Sequence, residues 1–183
     1  MTDTFQINPV LRQFRESDAL VLAELCNNKK VWDNLRDTIP FPYKLSDAEY
    51  FINSCSNENP KLTFAIGYGD EFAGVIGFVV QKDVYRLSAE LGYWIGEPYW
   101  GKGIASRAVE LATEYGFAQL GLVRIFAAVF EYNSVSRRVL EKNGYRLEGI
   151  FRNSVIKNGR IIDEYRYAKV NEQNLKKYIQ PTE

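Results

Sequence analysis

The sequence predicts an α+β fold, a mostly antiparallel sheet holding one parallel pair of strands, and three observations predict it. Residues 62–68 and 71–81 are two strand-like runs joined at Gly69-Asp70, and residues 146–156 and 160–170 repeat that pattern around Asn158-Gly159. Both read as hairpins, which are antiparallel. Between them stand a strand at residues 89–95, a glycine turn, a helix-patterned run from Ile104, and an apolar strand at residues 123–130. Two strands joined by a crossover helix run parallel. Finally, 183 residues with 46% hydrophobic and 14% aromatic content suffice for one well-filled core, so residues 1–183 read as a single domain.

In chain order, the alternation at residues 10–14 suggests a first strand, and Ser17 or Asp18 can cap a helix through Cys26. Residues 27–35 continue as a second helical piece, and Pro40 and Pro42 then hold an extended loop at residues 38–43. Ser46-Asp47-Ala48-Glu49 reads as a capping box opening a helix to about Ser56. After the first hairpin and the strand at residues 89–95, the crossover helix closes near Leu120-Gly121. Residues 123–130 are apolar after Arg124, as in a strand buried on both faces. Asn133 or Ser134 caps a short helix to Asn143, and Gly144 ends it. The second hairpin follows, then a polar tail from Asn171 with at most a helical turn.

Composition removes several classes of function. Lys+Arg and Asp+Glu both number 23, so no net field recruits nucleic acid or an anionic membrane. No run approaches the length of a membrane span or resembles a leader. Cys26 and Cys55 lie in helix-like contexts and read as buried thiols, which fits a cytoplasmic protein. The chain has no histidine, and so lacks the commonest metal ligand and the commonest general base. No metal is expected.

The turn after residue 95 carries the first chemical signal. Gly101 and Gly103 lack Cβ atoms, and the helix behind them offers unpaired N–H groups and the positive end of its dipole, a trap for phosphate. The nucleotide-triphosphatase pattern fails here because Gly103 stands where a hydroxyl should bind Mg²⁺. The dinucleotide pattern fails at Ser106, and no acidic residue follows near Leu120 to hold a ribose. A third pattern, [QR]-x-x-G-x-[GA], fits residues 100–105 at Gly103 and Ala105 and departs at Trp100. About 30 residues downstream stands N-S-V-S-R-R-V-L-E-K-N-G-Y, from Asn133 to Tyr145.

Together these two stretches resemble the pyrophosphate loop and fourth-helix motif of the GNAT acetyltransferases, N-x-x-[SA]-x-x-x-[YLF]-x-x-x-G-[FY] in the second case. The phrasing of residues 89–106 is similar to the RimJ/RimL branch, which acetylates N-terminal amines of ribosomal proteins. The likeness spans about residues 11–169. It implies a GNAT-like sheet whose parallel fourth and fifth strands splay apart, with acetyl-CoA as co-substrate in the V. It also implies that the backbones of Tyr93, Trp94 and Ile95 pair with the pantetheine arm. Main-chain N–H groups of Gly101, Lys102, Gly103, Ile104, Ala105 and Ser106 would hold the pyrophosphate, with Lys102 as a supplementary charge and Asn133 near the sulfur. The family's usual tyrosine, seven residues after that Asn, is Leu140 here, so Ser136 is the candidate donor to the departing thiolate. The partner is an amine, a protein N-terminus or a small molecule; a homodimer is left open, and a degenerate CoA-binding sensor is the alternative.

An acceptor amine arrives protonated, with a pKa near ~7.7–8.0 for an α-amine and ~10.4 for a lysine. It must lose a proton, and without histidine a carboxylate is the natural base. Glu90 is the first candidate, Glu131 and Glu164 the rivals. Period 2 puts Glu90 on the face opposite Ile95 unless a bulge intervenes, and such a bulge is common in this strand of the family. No cysteine lies in either motif, so attack on the thioester is expected to be direct. Arg36 and Asp37, neighbours in the aromatic loop at residues 34–43, are read either as a mutual surface pair or as a place where Asp37 draws the amine.

Overall fold

The computed structural model describes residues 8–179. Its seven-stranded sheet has the order β1-β2-β3-β4-β5-β7-β6, every neighbouring pair antiparallel except β4–β5. The strands are β1 (Pro9–Arg12), β2 (Thr63–Tyr68), β3 (Glu71–Val80), β4 (Ser88–Ile95), β5 (Arg124–Phe130), β6 (Arg146–Lys157) and β7 (Arg160–Val170). The helices are α1 (Asp18–Cys26), α2 (Lys29–Trp32), α3 (Leu45–Ser56), α4 (Ile104–Ala118), α5 (Ser134–Lys142) and α6 (Glu172–Leu175). The expected α+β sheet with one parallel pair is therefore the observed one.

Two apolar clusters sandwich the sheet. On one face α4 packs Ile104, Ala108, Val109 and Ala112 against Ala89, Leu91, Ile95, Ile125, Ala127 and Val129, with Leu140 and Tyr145 closing the far side. On the other face α1 and α3 bring Leu22, Cys26, Ala48 and Ile52 onto Ala65, Phe72 and Val75. The period of two in β4 thus divides it. Ala89, Leu91, Tyr93 and Ile95 serve the α4 side, while Trp94 packs edge-on against Phe72 on the other.

Some local expectations shift. The second helical piece shrinks to α2, capped by Asn28, whose side chain accepts from Lys30 N–H. The helix expected to open at Ser46 opens at Leu45, because the Asp47 carboxylate reaches back to the Lys44 N–H at 2.8 Å. β5 is not buried on both faces. Arg124, Phe126, Ala128 and Phe130 are only half-buried, because α4 covers the opposite face alone. No bulge interrupts β4, whose pairing with β3 runs unbroken from Gly74↔Ile95 to Val80↔Ala89, so the period-2 placement of Glu90 holds. Two peptide bonds preceding proline, Phe41-Pro42 and Asn59-Pro60, are cis.

Candidate active site

The parallel pair is short. β4 and β5 pair only at Ser88↔Arg124, Ala89↔Ile125 and Glu90↔Phe126, then separate, β5 staying with β7 and β4 with β3. The tip of β4 therefore presents an edge without a strand partner. Gly96 N–H donates to the Ala73 carbonyl of β3, so alternation turns the peptide groups of Trp94 toward β3 and those of Tyr93 and Ile95 toward the gap. Of these three, Trp94 offers the gap no backbone group. The Ile95 carbonyl accepts from Trp100 Nε1 at 2.7 Å, which folds the following turn back onto the strand. Trp100, the position that departs from the family pattern, is thus an anchor for the loop.

That turn has the geometry of an anion site. Gly101 and Gly103 sit at φ +75° and +76°, and a Cβ added at either would meet nothing within 4 Å, so the space over the backbone is open. Gly103 is the N-cap of α4, no side chain caps the helix, and its first turn carries no acidic residue. The Ile104 side chain is in the core while Ala105 and Ser106 are half-buried, so this turn can offer N–H groups rather than side chains. Asn143 Nδ2 ties α5 to this turn by donating to the Ser106 carbonyl and Oγ, each at 3.2 Å. Lys102 is exposed, its ammonium 5.6 and 5.4 Å from the ring centroids of Tyr68 and Tyr99.

Across the gap, Asn133 caps α5 by accepting from Ser136 N–H at 3.0 Å. Ser136 Oγ lies 2.9 Å from the Tyr93 hydroxyl, a contact that joins the β4 arm to α5. Leu140 is fully buried in the core. Nothing in the motif spelling foretold the Tyr93–Ser136 contact, although the parity of Ala89 and Leu91 places Tyr93 on the α5 side.

The three carboxylates differ in setting. Glu90 stands at the last β4–β5 pair, its side chain 18% exposed, ion-paired with Arg36. With β4 unbroken it lies on the face of Trp94, opposite Ile95, Tyr93 and Ser136. Glu164 pairs with Arg166 at 2.6 Å. Arg166 stacks over Phe151 and Phe126, and its Nε is buried without a hydrogen-bond partner among the described residues. Glu131 is exposed and accepts from Asp163 N–H at 3.0 Å.

The loop at residues 34–43 roofs this face. Arg36 and Asp37 do not pair with each other; Asp37 accepts from Lys157 Nζ at 2.6 Å. Lys157 is buried, its ammonium 3.4 Å from the centroid of Trp32, whose Nε1 donates to the Ile39 carbonyl. The roof is thereby fastened to the tip of the β6–β7 hairpin, a contact between residues 120 positions apart that no local signal announces. Both thiols are buried and unreactive, since burial pushes Cys26 up to about 12 and Cys55 up to about 11. Among the described residues, no group of three or more His, Cys, Asp or Glu side chains is placed to hold a metal, and no helix is long and apolar enough to cross a membrane.

A split parallel pair beside a helix N-terminus with no side-chain cap, entered through two open glycines, makes a site that offers backbone N–H groups to a phosphate-bearing ligand. Residues 9–146 match the acetyltransferase (GNAT) domain model, and the chain belongs to that family. It is 34% identical to an uncharacterized N-acetyltransferase p20 of Bacillus licheniformis, over 86% of this chain and 90% of the relative. It is also 34% identical to the ribosomal-protein-serine acetyltransferase of Escherichia coli, over 93% and 98%. Among solved structures it is similar to the microcin C7 self-immunity acetyltransferase MccE in complex with acetyl-CoA and AMP, with a TM-score of 0.76, 29% identity and coverage of 90% and 93%. The protein is an acetyl-CoA-dependent N-acetyltransferase of the GNAT family.

Proposed function

We propose that the protein is a RimJ/RimL-like enzyme whose acceptor is a protein N-terminal α-amine. The 34% identity to the ribosomal-protein-serine acetyltransferase over nearly the full length of both chains supports that acceptor class. The arrangement around the split carries the mechanism. β4 and β5 part just beyond Glu90↔Phe126, with Glu90 on one face of β4 and the Tyr93–Ser136 contact on the other. A thioester laid in that gap has a base on the side from which an amine enters and a hydroxyl on the side to which sulfur leaves.

Acetyl-CoA supplies the activated acetyl group when bound. The free edge of β4 at Tyr93 and Ile95 takes the pantetheine arm as an added strand, and the Tyr93 or Ile95 N–H polarises the acetyl carbonyl. The N–H groups of residues 101–106, Gly101, Lys102, Gly103, Ile104, Ala105 and Ser106 included, hold the pyrophosphate, and Lys102 adds a charge at the rim. Trp94, whose peptide faces β3, supports this edge from behind. Asn133, its Oδ1 spent on the cap, keeps its Nδ2 for the co-substrate.

Glu90 takes the amine proton through water once Arg36 releases it, and Ser136 gives a proton to sulfur as the acyl bond breaks. Proton transfer by a placed group contributes typically ~10²–10⁴-fold. The buried, protonated Cys26 and Cys55 support direct attack over a cysteine-borne acetyl group. Both free thiols also suit a cytoplasmic setting. The test is free-thiol release from acetyl-CoA with a panel of N-terminal peptides, polyamines and aminoglycosides. Turnover on an α-amino peptide is expected; turnover on a small-molecule amine alone would remove the acceptor assignment, and CoA binding with no turnover on any amine would favour a sensor.

A further inference from the structure

Ser136 is held from two sides. Its N–H donates to Asn133 Oδ1 at 3.0 Å, and its Oγ lies 2.9 Å from the Tyr93 hydroxyl, which is also 3.3 Å from the Ser136 carbonyl oxygen. Tyr93 stands on β4 beyond the last β4–β5 pair, so this contact spans the opening of the two strands. Burial pushes the Tyr93 phenol well above its ordinary range. A neutral phenol carries one proton to give, and both acceptors in reach belong to Ser136, the hydroxyl oxygen being the nearer. A phenol donating into Oγ leaves the serine proton turned away from Tyr93. The nearby position where the family pattern usually carries a tyrosine, Leu140, is sealed in the core with no polar atom to offer.

We propose that Tyr93 is a positioning residue for Ser136: its hydroxyl donates to Ser136 Oγ and aims the serine proton into the gap between β4 and α5, at the departing sulfur. The inference rests on reading Ser136 as the donor to the thiolate. When the carbon–sulfur bond breaks its electron pair goes to sulfur, Ser136 supplies a proton there, and the proton given up by the amine returns to Ser136 through solvent. Tyr93 keeps its own proton throughout. Its bond to Oγ supports the negative charge that grows on the serine, since hydrogen bonds in series polarise one another.

The test is a pH titration of CoA thiolate absorbance in complex with the full chain, as wild type, Tyr93→Phe, Ser136→Ala and the double variant. Phe keeps the ring that packs beside Leu91 and Ile95, and a retained thermal shift with CoA checks that each variant still folds and binds. One net hydrogen bond corresponds to a shift of roughly 0.5–1 pH unit. The bound thiol is expected to titrate higher by that amount in Tyr93→Phe, equally in Ser136→Ala, and no higher in the double variant. A parallel readout is acetyl transfer, where Tyr93→Phe should lower kcat and leave the KM for acetyl-CoA unchanged. A thiol that shifts in Ser136→Ala and not in Tyr93→Phe overturns the inference alone. Shifts that add in the double variant also overturn it, and no shift in either single variant removes Ser136 from the sulfur and the inference with it.

Discussion

Replacing Glu90 with Gln keeps shape and hydrogen-bonding capacity and removes the charge. The magnitude follows from where Glu90 stands. Its side chain is 18% exposed at the mouth of the split, and Arg36 must release it before it can serve an amine. Because the Arg36 side chain is 61% exposed, that pair is worth under about 1 kcal/mol, so opening it costs no more than about fivefold in rate. The loss on Glu90→Gln is then dominated by the missing base, ~10²–10⁴-fold in kcat at pH 7. The pH profile carries the sign: raising the pH deprotonates the amine unaided, so the variant regains activity as the acceptor titrates. For an α-amine this recovery falls near pH ~8, and for a lysine-like amine near pH ~10.4, so the same assay reports the acceptor class. Arg36→Ala should change the acceptor KM by no more than about fivefold. The assay is steady-state thiol release at saturating acetyl-CoA. Full activity of Glu90→Gln at pH 7 would refute the assignment, and Glu164, freed from Arg166, would be the next residue to change.

Gly103→Val places a β-branched side chain at φ +76° over the open turn, so the thermal stabilisation by acetyl-CoA should vanish while the helix behind it still forms; an undiminished shift in differential scanning fluorimetry would remove the phosphate-loop assignment. Asp37→Ala leaves the buried Lys157 ammonium without its carboxylate and should cost about 1–3 kcal/mol in denaturant unfolding with little change in acceptor KM. Asp18 is a second structural carboxylate: burial alone would raise its pKa, but the Arg12 guanidinium at 2.7 and 2.8 Å and the Arg15 N–H hold it below the usual range. A lowered pKa gives stability that is full above the unfolded value of 3.8 and fades as pH falls through the folded one, so Asp18→Asn should destabilise the fold at pH 7 and its gap from wild type should narrow as the pH is lowered into that range, read by denaturant unfolding at both pH values.

The sequence displayed the sheet because its signals are local. The Gly69-Asp70 and Asn158-Gly159 turns specify their hairpins, and Gly101 and Gly103 adopt the positive φ that glycine makes easy. Asn133 caps α5 just where its spacing to Gly144 requires. The site was legible where backbone carries it and obscure where side chains meet across the fold. Arg36 and Glu90 are 54 residues apart, and Lys157 and Asp37 are 120 apart; charge patterning at neighbouring positions suggested an Arg36–Asp37 pair that tertiary structure replaced with two others. β5 looked buried on both faces because Phe126, Ala128 and Phe130 are apolar, yet those side chains lie on the face that α4 does not cover. A β4 bulge carried over from the resemblance is absent, and period 2 alone gave the correct face for Glu90.

Acetyl-CoA is proposed to lie in the gap between β4 and β5 with its pyrophosphate at the start of α4. Backbone amide shifts followed by NMR during titration of the full chain with CoA test this most directly. The largest changes are predicted at Tyr93 and Ile95, through residues 101–106, and at the Asn133 cap, with Trp94 moving less because its peptide is already spent on β3. Perturbations centred away from the β4 tip and the α4 N-terminus, with residues 101–106 unmoved at saturation, would contradict it.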